Sequence, residues 1–306
     1  MRLSAATKTL YLGGMAVVMV IMLFPFAVML STALKSPGEV VGYAQSRYHL
    51  IPQHPTPGNF VECFRAMPLG MSFLSSLIIA SGATLVNILC AVPAAYALSR
   101  LEFPGKRALL FLILVTQMFA PIVLVLALFA QFQAYHLLEL DQGLANALRW
   151  LHIEPAGAAL TVLTGWKVFA ALILVNAAVS LAFSIWLLSG YFSTVPREIE
   201  DAALIDGCSR LQTVRQVLLP LSLPGLVTTI IFAFIAAWNE YVFALTFVPT
   251  DDLRPLTVAI PSFIGQYETQ WHLLMAAALL ATLPVMALFL TVEKHLVRGL
   301  TAGGIK

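Results

Sequence analysis

The sequence predicts an all-α integral membrane protein with six membrane-crossing helices and both termini on the cytoplasmic side. Three observations carry that expectation: a composition too apolar for water, six long uncharged stretches, and an uneven placement of Lys and Arg. Of the 306 residues, 60% are hydrophobic and only 10% charged, with a mean hydropathy of +0.89. Soluble domains carry about 25% charged residues, and a water-soluble fold of this size has no room to enclose so much apolar surface. The solvent for most of this chain is therefore lipid. The net charge of +2 is too small to suggest a nucleic-acid partner.

A helix needs about 20 mostly apolar residues to cross the hydrocarbon core. Uncharged stretches of that order run Thr9–Leu34, Ala66–Ser99, Ala108–Tyr135, Val168–Val195, Gln216–Asn239 and Thr269–Val292. Trimmed to helices, they predict spans at about 10–34, 70–98, 108–131, 169–192, 222–245 and 270–292. The first is too long for the core of a signal peptide and is read as a retained span. Between the spans lie a first outer loop at 35–69, an extended outer segment at 136–167, a cytoplasmic loop at 193–221 and a cytoplasmic tail at 293–306. The segment 144–164 is interrupted by Pro155 and Gly157 and reads as an outer-surface or re-entrant helix.

Orientation follows from the basic residues. With the N-terminus inside, Arg2, Lys8, Arg100, Lys106, Arg107, Arg197, Arg210, Arg215, Lys294, Arg298 and Lys306 are cytoplasmic. Lys35, Arg47, Arg65, Arg149, Lys167 and Arg254 are then outside, although the outer loops are longer. Excess positive charge on the inner side favours this assignment. Pro25, Pro93, Pro121 and Pro284 fall within spans, where neighbouring helices can satisfy the freed carbonyls, and they predict kinks.

No metal or redox framework is expected. Cys63, Cys90 and Cys208 share no close spacing, and His49, His54, His136, His152, His272 and His295 lack ligand spacing. No Gly-x4-Gly-Lys-Ser/Thr phosphate loop occurs, so ATP hydrolysis is not expected of this chain. It is read as non-catalytic and without a cofactor of its own.

The most heavily specified loop is 193–221, which reads as helix, elbow, helix. Pro196 suits the start of the first helix. Glu198, Glu200 and Asp201 crowd its positive end, and Ile199, Ala202, Ala203 and Ile205 give it an apolar side. Gly207 suits the left-handed residue that ends a helix, and Ser209 with Gln212 forms a capping box that starts another. Pro220 is expected to stop that second helix ahead of Leu223-Pro224-Gly225. Two readings stay open on these residues: a rigid knob that docks into a partner, or a helix pair lying on the membrane surface.

Here the chain resembles a family. Asp201-Ala202-Ala203, three residues, Gly207, nine residues, then Val217-Leu218-Leu219-Pro220 is similar to the "EAA" loop of permease subunits of binding-protein-dependent ABC importers. That loop reads Glu-Ala-Ala-x3-Gly-x9-Ile-x-Leu-Pro. Asp201 stands where glutamate is usual and Val217 where isoleucine is usual, and Glu200 can partly stand in for the former. Asp206 matches the frequent Asp-Gly. Ala94-Ala95-Tyr96-Ala97-Leu98-Ser99-Arg100-Leu101-Glu102-Phe103-Pro104-Gly105-Lys106, Trp238-Asn239-Glu240 and Gly299–Lys306 resemble the maltose-permease-like, carbohydrate branch.

The resemblance implies a type I importer permease domain over 1–306, paired with a second permease, two copies of a cytoplasmic ATPase and an extracytoplasmic solute-binding protein. It assigns ATPase coupling to Glu200, Asp201, Ala202, Ala203, Asp206, Gly207, Leu219 and Pro220, with ATP and Mg held by the partner ATPase. It also implies transport of a mono-, di- or oligosaccharide or a glycerol-phosphate-type solute across a bacterial or archaeal inner membrane.

Within the spans, ionisable groups are costly and point to function. Glu240 is the one well inside, about 24 Å from Pro224 along a helix. Trp238, Asn239 and Tyr241 beside it supply aromatic faces and amide groups of the kind that hold sugars. Gln117, beside Pro121, and Asn176 join them as candidate pathway residues, whereas Asn87 reads as a link between helices. Glu240 could equally pair with a partner subunit. An ion-coupled secondary transporter centred on Glu240, or an importer for a polyamine or amino acid, are the competing readings. No inverted repeat supports the former, and no convergent Asp, His and Ser set supports a membrane enzyme.

Overall fold

The computed structural model describes residues 5–41, 51–137, 141, 143, 165–265 and 268–302. The described residues are helices and their connections, with one isolated antiparallel bridge between Ile264 and Thr269. Most of the extended outer segment 136–167, residues 266 and 267, and residues 303–306 of the tail lie outside them.

The helices are α1 (Ala5–Ala33), α2 (Pro37–Val41), α3 (Asn59–Ala66), α4 (Leu69–Arg100), α5 (Lys106–Thr116), α6 (Pro121–Ala134), α7 (Trp166–Thr194), α8 (Arg197–Ile205), α9 (Arg210–Leu221), α10 (Leu223–Trp238), α11 (Val242–Phe247), α12 (Leu256–Ala259) and α13 (Trp271–Ala302). Four of them, α1, α4, α7 and α13, are long and apolar enough to cross a membrane unaided. Two bent pairs, α5 with α6 and α9 with α10, pass the same test only when joined. The chain is therefore a helical, multi-pass membrane protein with four to six candidate spans.

Two expected spans are broken rather than continuous. The stretch 108–131 is two half-helices at 89° to one another. Proline disfavours helical geometry in the residue before it, and Ala120 is extended (φ −63°, ψ 135°) with Pro121 opening α6. The stretch 222–245 ends as a helix at Trp238 and restarts at Val242, so Asn239, Glu240 and Tyr241 form a break. By contrast, Pro25, Pro93 and Pro284 sit inside uninterrupted helices. Helix α13 also continues to Ala302, so helix replaces part of the expected tail.

The chain divides into two compact units, Met1–Gly70 with Ala259–Leu283, and Met71–Val258 with Pro284–Lys306. In the first, Asn59 is buried and its amide donates to the carbonyls of Ala33 and Lys35, both at 2.8 Å, closing the end of α1. Helix α1 leaves Tyr11, Leu12, Met15 and a run of further apolar side chains exposed, as a lipid-facing helix does.

In the second unit, α7 is the central helix and packs most extensively on α10. Helices in lipid associate through close packing and hydrogen bonds rather than through expulsion of water. Gly225 of α10 lets the backbone lie against Tyr191 of α7, where a Cβ would fall 2.7 Å from the tyrosine Cβ. Asn87 of α4 donates to the Ala177 carbonyl (3.2 Å) and to Ser180 Oγ (2.9 Å), the inter-helix role expected of it. One apolar cluster joins Ile79, Val125, Phe169, Leu172, Phe243 and Phe247, and a second joins Ala91, Leu98, Leu188, Phe192 and Leu218 nearer the loop 193–221.

Candidate functional site

The loop after α7 begins at Val195–Pro196, both extended, and Pro196 caps α8 from outside rather than occupying its first turn. Helix α8 ends as the sequence predicts. Gly207 has φ +90°; Cys208 N–H reaches the Ala203 carbonyl (3.0 Å) and Gly207 N–H reaches that of Leu204 (3.1 Å). This pair of bonds is the Schellman closure that a left-handed residue permits. Ser209 and Gln212 then form the capping box: Gln212 Oε1 accepts from Ser209 N–H at 2.7 Å, and Ser209 Oγ accepts from Gln212 N–H at 3.4 Å.

Helix α8 has one exposed and one buried face. Ala203 and Glu200 are buried, whereas Ile199, Asp201, Ala202, Ile205 and Asp206 are exposed, Ile205 by 86%. Ile199, Ala202 and Ile205, three positions apart, form an apolar side that faces outward, and of the four apolar residues only Ala203 turns in, with Glu200. Glu200 contacts Arg100 of α4 instead of facing outward. Pro220 does not stop the second helix, which runs on to Leu221. A π turn at Val214–Leu218 precedes it, a wider turn of the kind often found at functional sites. The reversal falls at Ser222, where α9 and α10 meet at 85°. Leu219 is half-buried on this segment.

The second site is a cavity of about 480 Å³ between α5–α6, α7, α10 and the break after Trp238. Gln117, Asn176, Asn239, Glu240 and Tyr241 all line it, with Phe183 and Phe232 as aromatic walls. The break in the third span aims Gln117 into the wall, where its amide donates to the Val179 carbonyl at 2.8 Å. Asn176 is buried and donates to the Leu172 carbonyl. Glu240 accepts from the N–H groups of Phe243 (2.8 Å) and Ala244 (3.0 Å), fixing the start of α11. Its own carbonyl accepts from Thr257 at 2.7 Å. Trp238 faces away from this cavity. It is buried, stacked on Phe234 and edge-on to Phe73.

Gln117, Asn176, Asn239, Glu240 and Tyr241 are five of the fifteen lining residues, and Phe183, Phe232, Ser180 and Ser184 were not among the candidates from sequence. Apolar or hydroxylated positions on a fully apolar helix carry no periodic signal that separates cavity from lipid. Arg100 was legible as a marker of topology and as part of the Ala94–Lys106 resemblance, but not as an ion-pair partner. The carboxylate it meets lies 100 positions away, beyond any local pattern.

Residues 87–302 match the family model for the binding-protein-dependent transport system inner membrane component. The trehalose/maltose transport system permease protein MalG of Thermococcus litoralis is 32% identical, over 100% of this chain and 99% of its own length. The sulfoquinovosyl glycerol transport system permease protein SmoH of Agrobacterium fabrum is 32% identical, over 93% of this chain and 89% of its own. Among solved structures, a chain of a bacterial ABC transporter involved in the import of the acidic polysaccharide alginate superimposes with a TM-score of 0.72. It covers 96% of this chain and 99% of its own, at 20% identity, which is a likeness of fold. With the loop of 201–220 and the helical multi-pass architecture, the match over residues 87–302 establishes that the chain belongs to the inner membrane components of binding-protein-dependent transport systems, the ABC transporter permeases.

Proposed function

We propose that this chain forms half of the translocation pathway of an ATP-driven carbohydrate importer and couples it to a separate ATPase through the loop 193–221. The observation that carries the carbohydrate reading is the convergence of Gln117, Asn176, Asn239, Glu240 and Tyr241 on one cavity walled by Phe183 and Phe232. Amides and hydroxyls match sugar hydroxyls, and aromatic faces match the C–H faces of a sugar ring. The named substrates of the two relatives, trehalose or maltose and sulfoquinovosyl glycerol, favour the same class. No Lys or Arg lines this cavity among the described residues, so an uncharged sugar suits it better than a phosphorylated one.

With α5 and α6 taken as one span and α10 with the following α11 as another, α1, α4, α7 and α13 bring the number to six and leave α9 in the cytoplasmic loop, with both termini cytoplasmic and the chain in an inner membrane. The exposed Ile199, Ala202, Ile205 and Asp206, held by the Gly207 elbow, offer the surface that a cytoplasmic ATPase would grip. A second permease, two ATPase copies carrying ATP and Mg, and an extracytoplasmic binding protein complete the assembly. Glu240 argues against ion coupling, because both its oxygens already accept backbone N–H groups.

The test is purification of the tagged chain from its own membranes, followed by reconstitution. Recovery of a Walker-motif ATPase and a second permease, with ATP-dependent uptake of a sugar presented by a binding protein, is the expected result. A chain that purifies alone and transports without ATP would overturn the reading.

A further inference from the structure

Arg100 and Glu200 form a buried ion pair that the coupling assignment of Glu200 does not account for. Their side chains are only 7% and 8% exposed. The same guanidinium Nη2 donates to the Val195 carbonyl at 2.8 Å. Three elements therefore meet at one group: the last residue of α4, the residue that ends α7 and the first turn of α8. Arg100 suits the negative end of α4 and Glu200 the positive end of α8. Nearby, Arg197 and Glu102 form a second pair at 3.5 Å, but those side chains are 56% and 83% exposed. Exposed pairs of that kind contribute little, whereas removing one partner of a buried pair leaves an uncompensated charge.

We propose that Arg100 is a positioning residue: with Glu200 and the Val195 carbonyl it locks α8 onto the feet of α4 and α7, so the loop and those helices move as one body. The proposal rests on the loop being the ATPase-docking element. Without the lock, α8 keeps the extended Val195–Pro196 link and its packing on α9, whose Leu218 lies against Leu188 and Phe192 of α7, but loses its charged tie to α4 and to the end of α7. With it, a push on α8 enters α7 directly. Ser180 and Ser184 of α7 line the cavity, and Ser180 lies about 22 Å along the helix from Val195. Asn87 ties α4 to α7 again at Ser180. The two helices are thus joined at the foot and at cavity level, which makes them a stiff lever.

The test uses the reconstituted complex with Arg100→Gln, Glu200→Gln, both Gln substitutions together, the swap Arg100→Glu with Glu200→Arg, and Glu102→Gln as the exposed control. The first readout is the distance distribution between spin labels at Glu198→Cys, exposed on α8 and outside the proposed docking surface, and Trp186→Cys, in a chain whose native cysteines are replaced. The second is sugar transported per ATP hydrolysed. Arg100→Gln and Glu200→Gln should broaden the distribution and cut transport per ATP at least fivefold. The double Gln variant should be no worse than either single, because partners in one network are not additive. Glu102→Gln should change neither readout, and the swap should recover part of both.

An unbroadened distribution overturns the lock whatever transport does. A broadened one with transport per ATP unchanged overturns its role in force transmission while leaving the importer reading intact. Should a single variant fail to assemble, the swap decides: an assembled swap with restored narrow distances supports the lock, and one that stays broad refutes it. Wild-type complex without ATP-driven uptake would sink the docking reading on which the lock's function depends.

Discussion

Replacing Gly207 by alanine isolates a backbone effect. Gly207 holds φ +90°, and a Cβ there would meet nothing within 4 Å, so no packing change accompanies the substitution. The cost is that of placing an L side chain in left-handed geometry, about 1–2 kcal/mol. At tenfold per 1.4 kcal/mol, the closed elbow is disfavoured relative to its opened form by roughly 5- to 30-fold. Opening breaks the bond from Cys208 N–H to the Ala203 carbonyl, so the adjacent Cys208 thiol reports it. Labelling of Cys208 by a maleimide in the solubilised complex should accelerate by up to that factor in Gly207→Ala. Gly207→Asn should lie nearer wild type, because Asn tolerates the left-handed region, and Gly207→Val should be fastest. Coupled uptake should fall in the same order. Equal labelling rates for Gly, Asn, Ala and Val would refute the claim that the elbow depends on a left-handed residue.

Gly225→Ala should destabilise the α7–α10 contact by about 1–3 kcal/mol, as overpacking does, because the methyl lands on Tyr191. Gly82→Ala, which meets the flexible end of Ile173, should cost less; thermal unfolding of both in detergent checks the order. Asn239→Ala should raise the sugar concentration needed for half-maximal uptake without lowering recovery of the complex, and unchanged uptake kinetics would remove Asn239 as a sugar contact. An impermeant maleimide should label Cys208 in inside-out vesicles, while Cys90, on α4, stays unlabelled from either side. Burial pushes the Cys63 thiol above its ordinary pKa, against backbone hydrogen bonds that lower it. The thiolate is the reactive form, so Cys63 should label slowly at neutral pH and faster as pH rises. Labelling of Cys208 only in right-side-out vesicles would reverse the proposed topology.

Properties set by short stretches of chain were legible directly. Hydropathy over 20-residue windows located the apolar helices, since lipid acts on each segment separately. The Gly207 elbow and the Ser209–Gln212 box were readable because both are made by residues within a few positions of each other. Pro121 was noticed, but only neighbouring structure decides whether a proline kinks, breaks or leaves a membrane helix unchanged; Pro93 and Pro284 do the last.

The candidate pathway residues were visible as polar groups in apolar surroundings, yet their roles depended on contacts. Glu240 read as a pathway carboxylate or a partner for another subunit, and in the fold its oxygens accept the N–H groups that open α11; Trp238 read as a candidate cavity wall and packs on Phe234 and Phe73. Glu200 belonged to the loop by motif but turns inward to Arg100. What the amino-acid order determined by itself was the solvent, the helices and the local caps, because each is fixed by near neighbours and lipid. What the tertiary structure decided was which side of each helix meets a cavity, a partner helix or lipid. In a uniformly apolar helix no amphipathic stripe marks those sides, and pairings such as Arg100 with Glu200 exist only once distant segments meet.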